Sequence, residues 1–232
     1  MTQNCPVTPI VNRERAPRLW LFGAGHGLMH KATALDLCER VIVSVVFLNF
    51  VYRMLPSFDG TLNFIFVLLL LSETLPFVYI VLRTSSSTLS QTPRDWVFAI
   101  LGTTVPLMVI PPVDAAPLAP IAVCISVMAA GFSLQISAKV MLGRAYGIVA
   151  ANRGIKMLGP YRLLRHPMYA GYSLTHVGFL LAAPSLINTL IYAAGLSVQI
   201  LRIFREERLL MQDPGYRVFA ARVRYRLVPG IF

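Results

Sequence analysis

Four long apolar runs, at about 37–55, 61–82, 95–113 and 117–141, constrain this chain more than any other feature. Each is close to the roughly 20 residues that an α-helix needs to cross the hydrocarbon core of a bilayer. No water is available there to satisfy free backbone groups, so a run of this kind must be helical. Turn-forming residues separate the runs: Pro56, Ser57, Asp59 and Gly60, then 84–93, then Pro111, Pro112, Asp114 and Pro117. Two further runs, 168–183 and 186–201, meet at Pro184-Ser185. At 16 residues each they reach only about 24 Å, which predicts a tight helical hairpin lying below the headgroups at its cytoplasmic end. The fold class expected is therefore an all-α integral membrane protein with about six transmembrane helices, the last two a short hairpin.

Charge settles orientation and excludes a function class. Only 13% of the 232 residues are charged, against about a quarter in soluble domains, yet the net charge is +11. With the N-terminus placed inside, 20 of the 21 Lys and Arg fall on one side of a six-helix topology, and only Arg53 falls outside. The positive-inside rule thus accounts for the basicity, and nucleic acid is excluded as a partner. Both termini are expected in the cytoplasm, in the inner (plasma) membrane if the source is a bacterium. Cys5, Cys38 and Cys124 form neither a disulfide framework nor a zinc pattern. Segment 18–35 reads as interfacial. Its Gly23, Gly25 and Gly27 lack the βαβ setting of a dinucleotide loop, and His26 with His30 lacks a third ligand. The organisation expected is 1–36 as an N-terminal segment, 37–138 as helices 1–4, and 139–232 as the chemical region. In that last region a hairpin follows a polar connector, and a C-terminal lid from 212 onward follows the hairpin.

The connector 159–171 concentrates Tyr161, Arg162, Arg165, His166 and Tyr169 between the restrictive residues Gly159, Pro160, Pro167 and Gly171. Cations and aromatic faces on a rigid segment suit an anionic, nucleotide-like or sulfonium ligand. Beyond Leu201 the last helix turns charged, and Arg202 and Glu206, four apart, share a face. The hairpin returns that face to the same side of the membrane as the connector. Within the spans Glu73 stands out, next to Pro76, as a cavity-lining or helix-bonded acid. Asn49, Gln135, His176 and Gln199 read as interhelical hydrogen-bonding groups.

Gly-Pro-Tyr-(x3)-Arg-His-Pro-(x)-Tyr-(x)-Gly at 159–171, followed by Arg-(x3)-Glu-Glu-(x2)-Leu at 202–210, resembles the isoprenylcysteine carboxyl methyltransferase family, above all its bacterial members. The likeness covers roughly 139–232. It implies an S-adenosylmethionine-dependent membrane methyltransferase with a cytosolic cofactor pocket, membrane lipid around it and lipid-side entry for a lipophilic acceptor. It further implies that Arg153, Gly154, Ile155, Lys156, Tyr161, His166, Pro167, Met168, Tyr169 and Glu206 hold the cofactor and that Arg202 faces the acceptor. The chain departs from eukaryotic members at Asp213-Pro214-Gly215-Tyr216, which argues against prenylcysteine as that acceptor. Methyl transfer from a sulfonium needs positioning and desolvation rather than a nucleophilic side chain, and an arginine beside the site favours an anionic acceptor. Two alternatives remain at this point. Some sterol reductases are similar around Arg-His-Pro-(x)-Tyr, which would make the ligand NADPH, and a non-catalytic binding protein would need no enclosed charged pocket.

Overall fold

The computed structural model describes residues 25–56, 63–82, 93–112, 115–142 and 158–232, and these are all-helical. In order come α1 (Gly25–Met54), α2 (Asn63–Leu82), α3 (Pro93–Thr104), a 3-10 turn (Pro106–Met108), α4 (Ile121–Leu142), a 3-10 turn (Gly159–Arg162), α5 (Pro167–Ala182), α6 (Leu186–Leu210) and α7 (Pro214–Arg222). Segments Asn63–Val81, Ile121–Leu142 and Leu186–Leu210 are long and apolar enough to cross a membrane. Helix α1 is longer than its apolar run suggests, because it starts within the stretch read as interfacial. Helix α6 likewise continues past the apolar limit at 201 to Leu210.

Each helix buries one stripe. In α1 it is Val43, Phe47, Phe50 and Met54, at helical spacing, whereas Leu37, Val41, Val45, Leu48 and Tyr52 are exposed. Exposed Phe64, Val67 and Leu71 continue the same belt on α2. So much exposed apolar surface would be an aggregation hazard in water, and it is the ordinary outer face of a membrane protein. Asn49 lies on that exposed face, so the expectation that it bonds between helices fails.

Two arginines tie helix ends together. Arg40 pairs with Asp36 at 2.9 Å and donates to the Val81 carbonyl at the end of α2, also at 2.9 Å. Arg53 donates to the carbonyls of Leu107, Met108 and Val109, the orphan acceptors left where α3 and its 3-10 turn end. The lone cation on the outer side in the charge count thus has a local reason for its position.

Helices α5 and α6 form the expected hairpin. Its turn at 183–185 is as short as expected, but α5 packs chiefly on α4, and α6 chiefly on α3. A Cβ on Gly131 would stand 2.6 Å from the Thr175 backbone nitrogen, and one on Gly171 would stand 2.7 Å from the Gly131 carbonyl oxygen. Small residues here let two backbones touch, which is how membrane helices associate without a hydrophobic driving force. With α5 drawn onto α4, the α5 and α6 helices splay and leave a gap between them.

Topology remains an expectation of the charge pattern and has a direct test. In a background with the native cysteines replaced, a cysteine at exposed Leu163 and one at exposed Leu118 should react with an impermeant maleimide from opposite sides. Reaction of both from the same side would reject the topology with both ends inside.

Candidate active site

The splayed gap is a pocket lined by Glu73 and Pro76 of α2, Gly102 and Thr103 of α3, Pro106, Met168, Tyr169, Tyr172 and His176 of α5, and Gln199 and Arg202 of α6. It encloses about 430 Å³ of empty space, counting its open mouth. Polar groups from the first three turns of α5 and from the second half of α6 converge on it.

The connector fixes the upper part. Gly159 takes φ +57°, a left-handed conformation that side chains rarely adopt, and the 3-10 turn that follows buries Tyr161. Pro167 occupies the first turn of α5, where a missing N–H costs nothing, and His166 precedes it as N-cap. From there Met168 and Tyr169 face the pocket. The Tyr169 hydroxyl donates to Glu206 Oε2 at 3.2 Å, its ring carries the Arg202 guanidinium at 5.4 Å, and the His166 ring stacks 5.7 Å away. Tyr161, Met168 and Tyr169 belong to one buried cluster with Ala138, Tyr172, Ile203 and Leu227. The structure therefore brings together Tyr161, His166, Pro167, Met168, Tyr169, Arg202 and Glu206. Arg153, Gly154, Ile155 and Lys156 lie outside the described residues.

A buried acid that the sequence reading passed over holds this arrangement. Glu207 is 4% exposed. Its Oε1 meets Arg165 Nη1 at 3.2 Å and His166 Nε2 at 3.3 Å, and its Oε2 meets the Arg226 guanidinium at 2.9 Å. Arg165 also donates to the carbonyls of Val223 and Ala220, and the Arg165 and His166 backbone nitrogens donate to the carbonyls of Tyr225 and Arg226. Residues 220–226 are thus clamped to the connector. Beside them Asp213 caps α7 by accepting from Gly215 at 2.7 Å. On α7 the buried Tyr216 phenol is pushed above its usual pKa by burial and by the charges of Glu207 and Glu206, so it stays neutral. The adjacent pair Glu206-Glu207 divides its labour: one carboxylate binds the scaffold, the other faces the pocket side.

Deeper in the pocket, His176 Nε2 lies 3.0 Å from Glu73 Oε1, and its ring stacks on Tyr192 at 4.1 Å. Next to this pair, buried Lys139 of α4 donates to Gln135 at 3.0 Å and sits 4.8 Å over the Tyr172 ring. Gln135 in turn donates to Ser72 Oγ at 2.7 Å. His176 and Gln135 thus make interhelical bonds, as the sequence suggested, whereas Gln199 lines the pocket.

Over residues 120–213 the chain matches the model of the phospholipid methyltransferase family, a membrane methyltransferase family related to the isoprenylcysteine carboxyl methyltransferases. The matched span begins at the start of α4, contains the connector, α5 and α6, and ends just before α7. No curated protein matches the chain. The match supports a membrane methyltransferase with a lipid-type substrate.

Proposed function

We propose that the chain is an S-adenosylmethionine-dependent methyltransferase acting on a lipophilic acceptor that carries an anionic group. One observation supports this most: Tyr169 and Arg202 line one pocket and Glu206 accepts from the Tyr169 hydroxyl, all within the span matched by a methyltransferase family. The donor set fits the cofactor. Glu206 is a partly exposed carboxylate suited to an α-ammonium, and Tyr169 offers a ring face already under a cation, as a sulfonium would require. Met168 lines the pocket beside Tyr169, His166 stacks on the Tyr169 ring ahead of Pro167, Tyr161 packs in the same cluster, and Arg153–Lys156 are assigned to the cofactor by the same resemblance. When bound, S-adenosylmethionine supplies a methyl group already activated on sulfur.

The protein's share of the chemistry is then positioning. Arg202 lines the pocket and can hold the acceptor's anionic group by a charge-assisted bond, while the apolar lining from Pro106 and Met168 excludes water. The pocket between α5 and α6 supports entry of a lipid from the bilayer side. The reductase alternative has no observation in its favour.

Two substitutions test the division of roles. Glu206→Gln should weaken S-adenosylmethionine binding, read by calorimetry, by the value of a charged hydrogen bond, about 1.5–3 kcal/mol. Arg202→Ala should leave that affinity nearly intact and lower turnover or raise the acceptor KM. Equal and small effects of both changes on binding and on transfer would mean that the pair is only a solvated surface feature. Tight NADPH binding with none for S-adenosylmethionine would also reject the proposal.

A further inference from the structure

We infer that His176, held by Glu73, takes a proton from the methyl acceptor, so that the methylated atom is an amine nitrogen or a hydroxyl oxygen and not a carboxylate. This rests on the methyltransferase reading above, since it assigns a role within that reaction.

Both residues line the same pocket as Tyr169 and Arg202. With Glu73 ionised it can only accept, and the 3.0 Å contact then puts the proton of a neutral imidazole on Nε2 and leaves Nδ1 as the acceptor. Stacking on Tyr192, with the rings 12° from parallel, holds the plane of the imidazole. None of the described residues hydrogen-bonds Nδ1. A base oriented through its second nitrogen by a carboxylate is the arrangement that activates weak nucleophiles in many enzymes.

The step balances simply. The N–H bond of a protonated amine or the O–H bond of a hydroxyl breaks, an N–H bond forms at Nδ1, and the electron pair left on the acceptor atom bonds to the methyl carbon, while the sulfur–methyl bond of a bound S-adenosylmethionine would break and leave its pair on sulfur. The resulting imidazolium faces the Glu73 carboxylate. A carboxylate acceptor already holds such a pair and needs no base at all. Arg202, at the other side of the pocket, then serves to hold a separate anionic part of the same molecule. The charged and titratable groups around the ring are Glu73 from α2, Lys139 from α4, Tyr169 and Tyr172 from α5, and Tyr192 and Arg202 from α6. The α3 wall contributes only Gly102 and Thr103.

The test uses the full chain, labelled with ¹⁵N-histidine, in lipid nanodiscs. The chain has 4 histidines, so the His176 ring is assignable by substitution. Three probes are supplied: phosphatidylethanolamine for an amine, phosphatidylglycerol for a hydroxyl, and oleate for a carboxylate. With labelled S-adenosylmethionine, the amine or the hydroxyl lipid should be methylated and oleate should not. His176→Gln should lower kcat by the roughly 10²–10⁴-fold worth of a general base while cofactor affinity stays unchanged. Glu73→Gln should move the pH–rate profile and the His176 NMR titration together, which a structural role would not do. The accepting lipid should also perturb the Nδ1 resonance of the wild type. Oleate methylated as fast as the others, or full activity of His176→Gln, would overturn the inference. A wild-type Nδ1 resonance silent to all three lipids would overturn it too, even where the variants fail to fold. Calorimetry without S-adenosylmethionine binding would overturn both readings, whereas binding with a silent His176 would overturn this one alone.

Discussion

Glu207→Gln is expected to unfold the connector end of the site, with a larger effect than any change at its neighbour Glu206. The Glu207 carboxylate is buried and faces two guanidiniums and an imidazole within 3.3 Å. Gln keeps the shape and removes the charge, so Arg165 and Arg226 are left without the anion that balances them. Breaking a buried ion pair from one side costs about 3–5 kcal/mol. In a chain of this size that corresponds to a fall in Tm of roughly 6–20 °C. Affinity for S-adenosylmethionine should fall with it, because the His166 and Tyr169 positions depend on the same clamp. Thermal unfolding in detergent, alongside exposed Arg208→Ala as a control, measures this directly. A Glu207 variant no less stable than the control would show that the cluster is worth little.

The second large effect is expected where α4 meets α5. In Gly171→Ala the added methyl would stand 2.7 Å from the Gly131 carbonyl oxygen and 2.8 Å from the Gln135 nitrogen. Both are backbone atoms of a helix and cannot swing aside as a side-chain end could. The two helices must separate, so the loss should reach or exceed the upper part of the 1–3 kcal/mol typical of overpacked cores. Gly102→Ala provides the contrast for stability, because its methyl would meet side-chain atoms at 3.6 Å, an ordinary contact, and alanine favours the helix. Unfolding of the two variants by denaturant would separate the cases. Equal stability would mean that the close approach is softer than its distances imply.

Much of the architecture was legible because bilayer helices announce themselves by length and apolarity. The runs at 61–82 and 117–141 became α2 and α4, with starts two and four residues later than read and ends within one residue. The connector was legible as well, since prolines and a positive-φ glycine restrict backbone independently of tertiary context. The interface of α5 was not. A short turn at Pro184 says that α5 and α6 are neighbours, but the depth of their contact depends on where small residues face, and Gly131, Gly171 and Gly178 direct α5 to α4 instead. Glu207 was missed for a related reason. Its burial is created by Arg165 and Arg226, 42 and 19 residues away, and no local pattern records that they converge. Glu73 was singled out by its position in an apolar run, yet its partner His176 stands 103 residues along and could be paired with it only in space.

The clamp between the connector and residues 220–226 also bears on the order in which the molecule can be made. Arg165 binds the Val223 carbonyl, 58 residues further along the chain. Synthesis proceeds from the N-terminus, and domains settle as their parts emerge. The bundle from α1 to α5 can therefore insert and pack before any of Glu207, Val223, Tyr225 or Arg226 exists. Until they arrive, the connector lacks both its counter-ion and its backbone partners, so the rim of the pocket beside it has no reason to hold its shape. A nascent chain already seated in the bilayer should thus be incapable of capturing its ligands, and competence should appear late and abruptly, when the last segment closes on the connector.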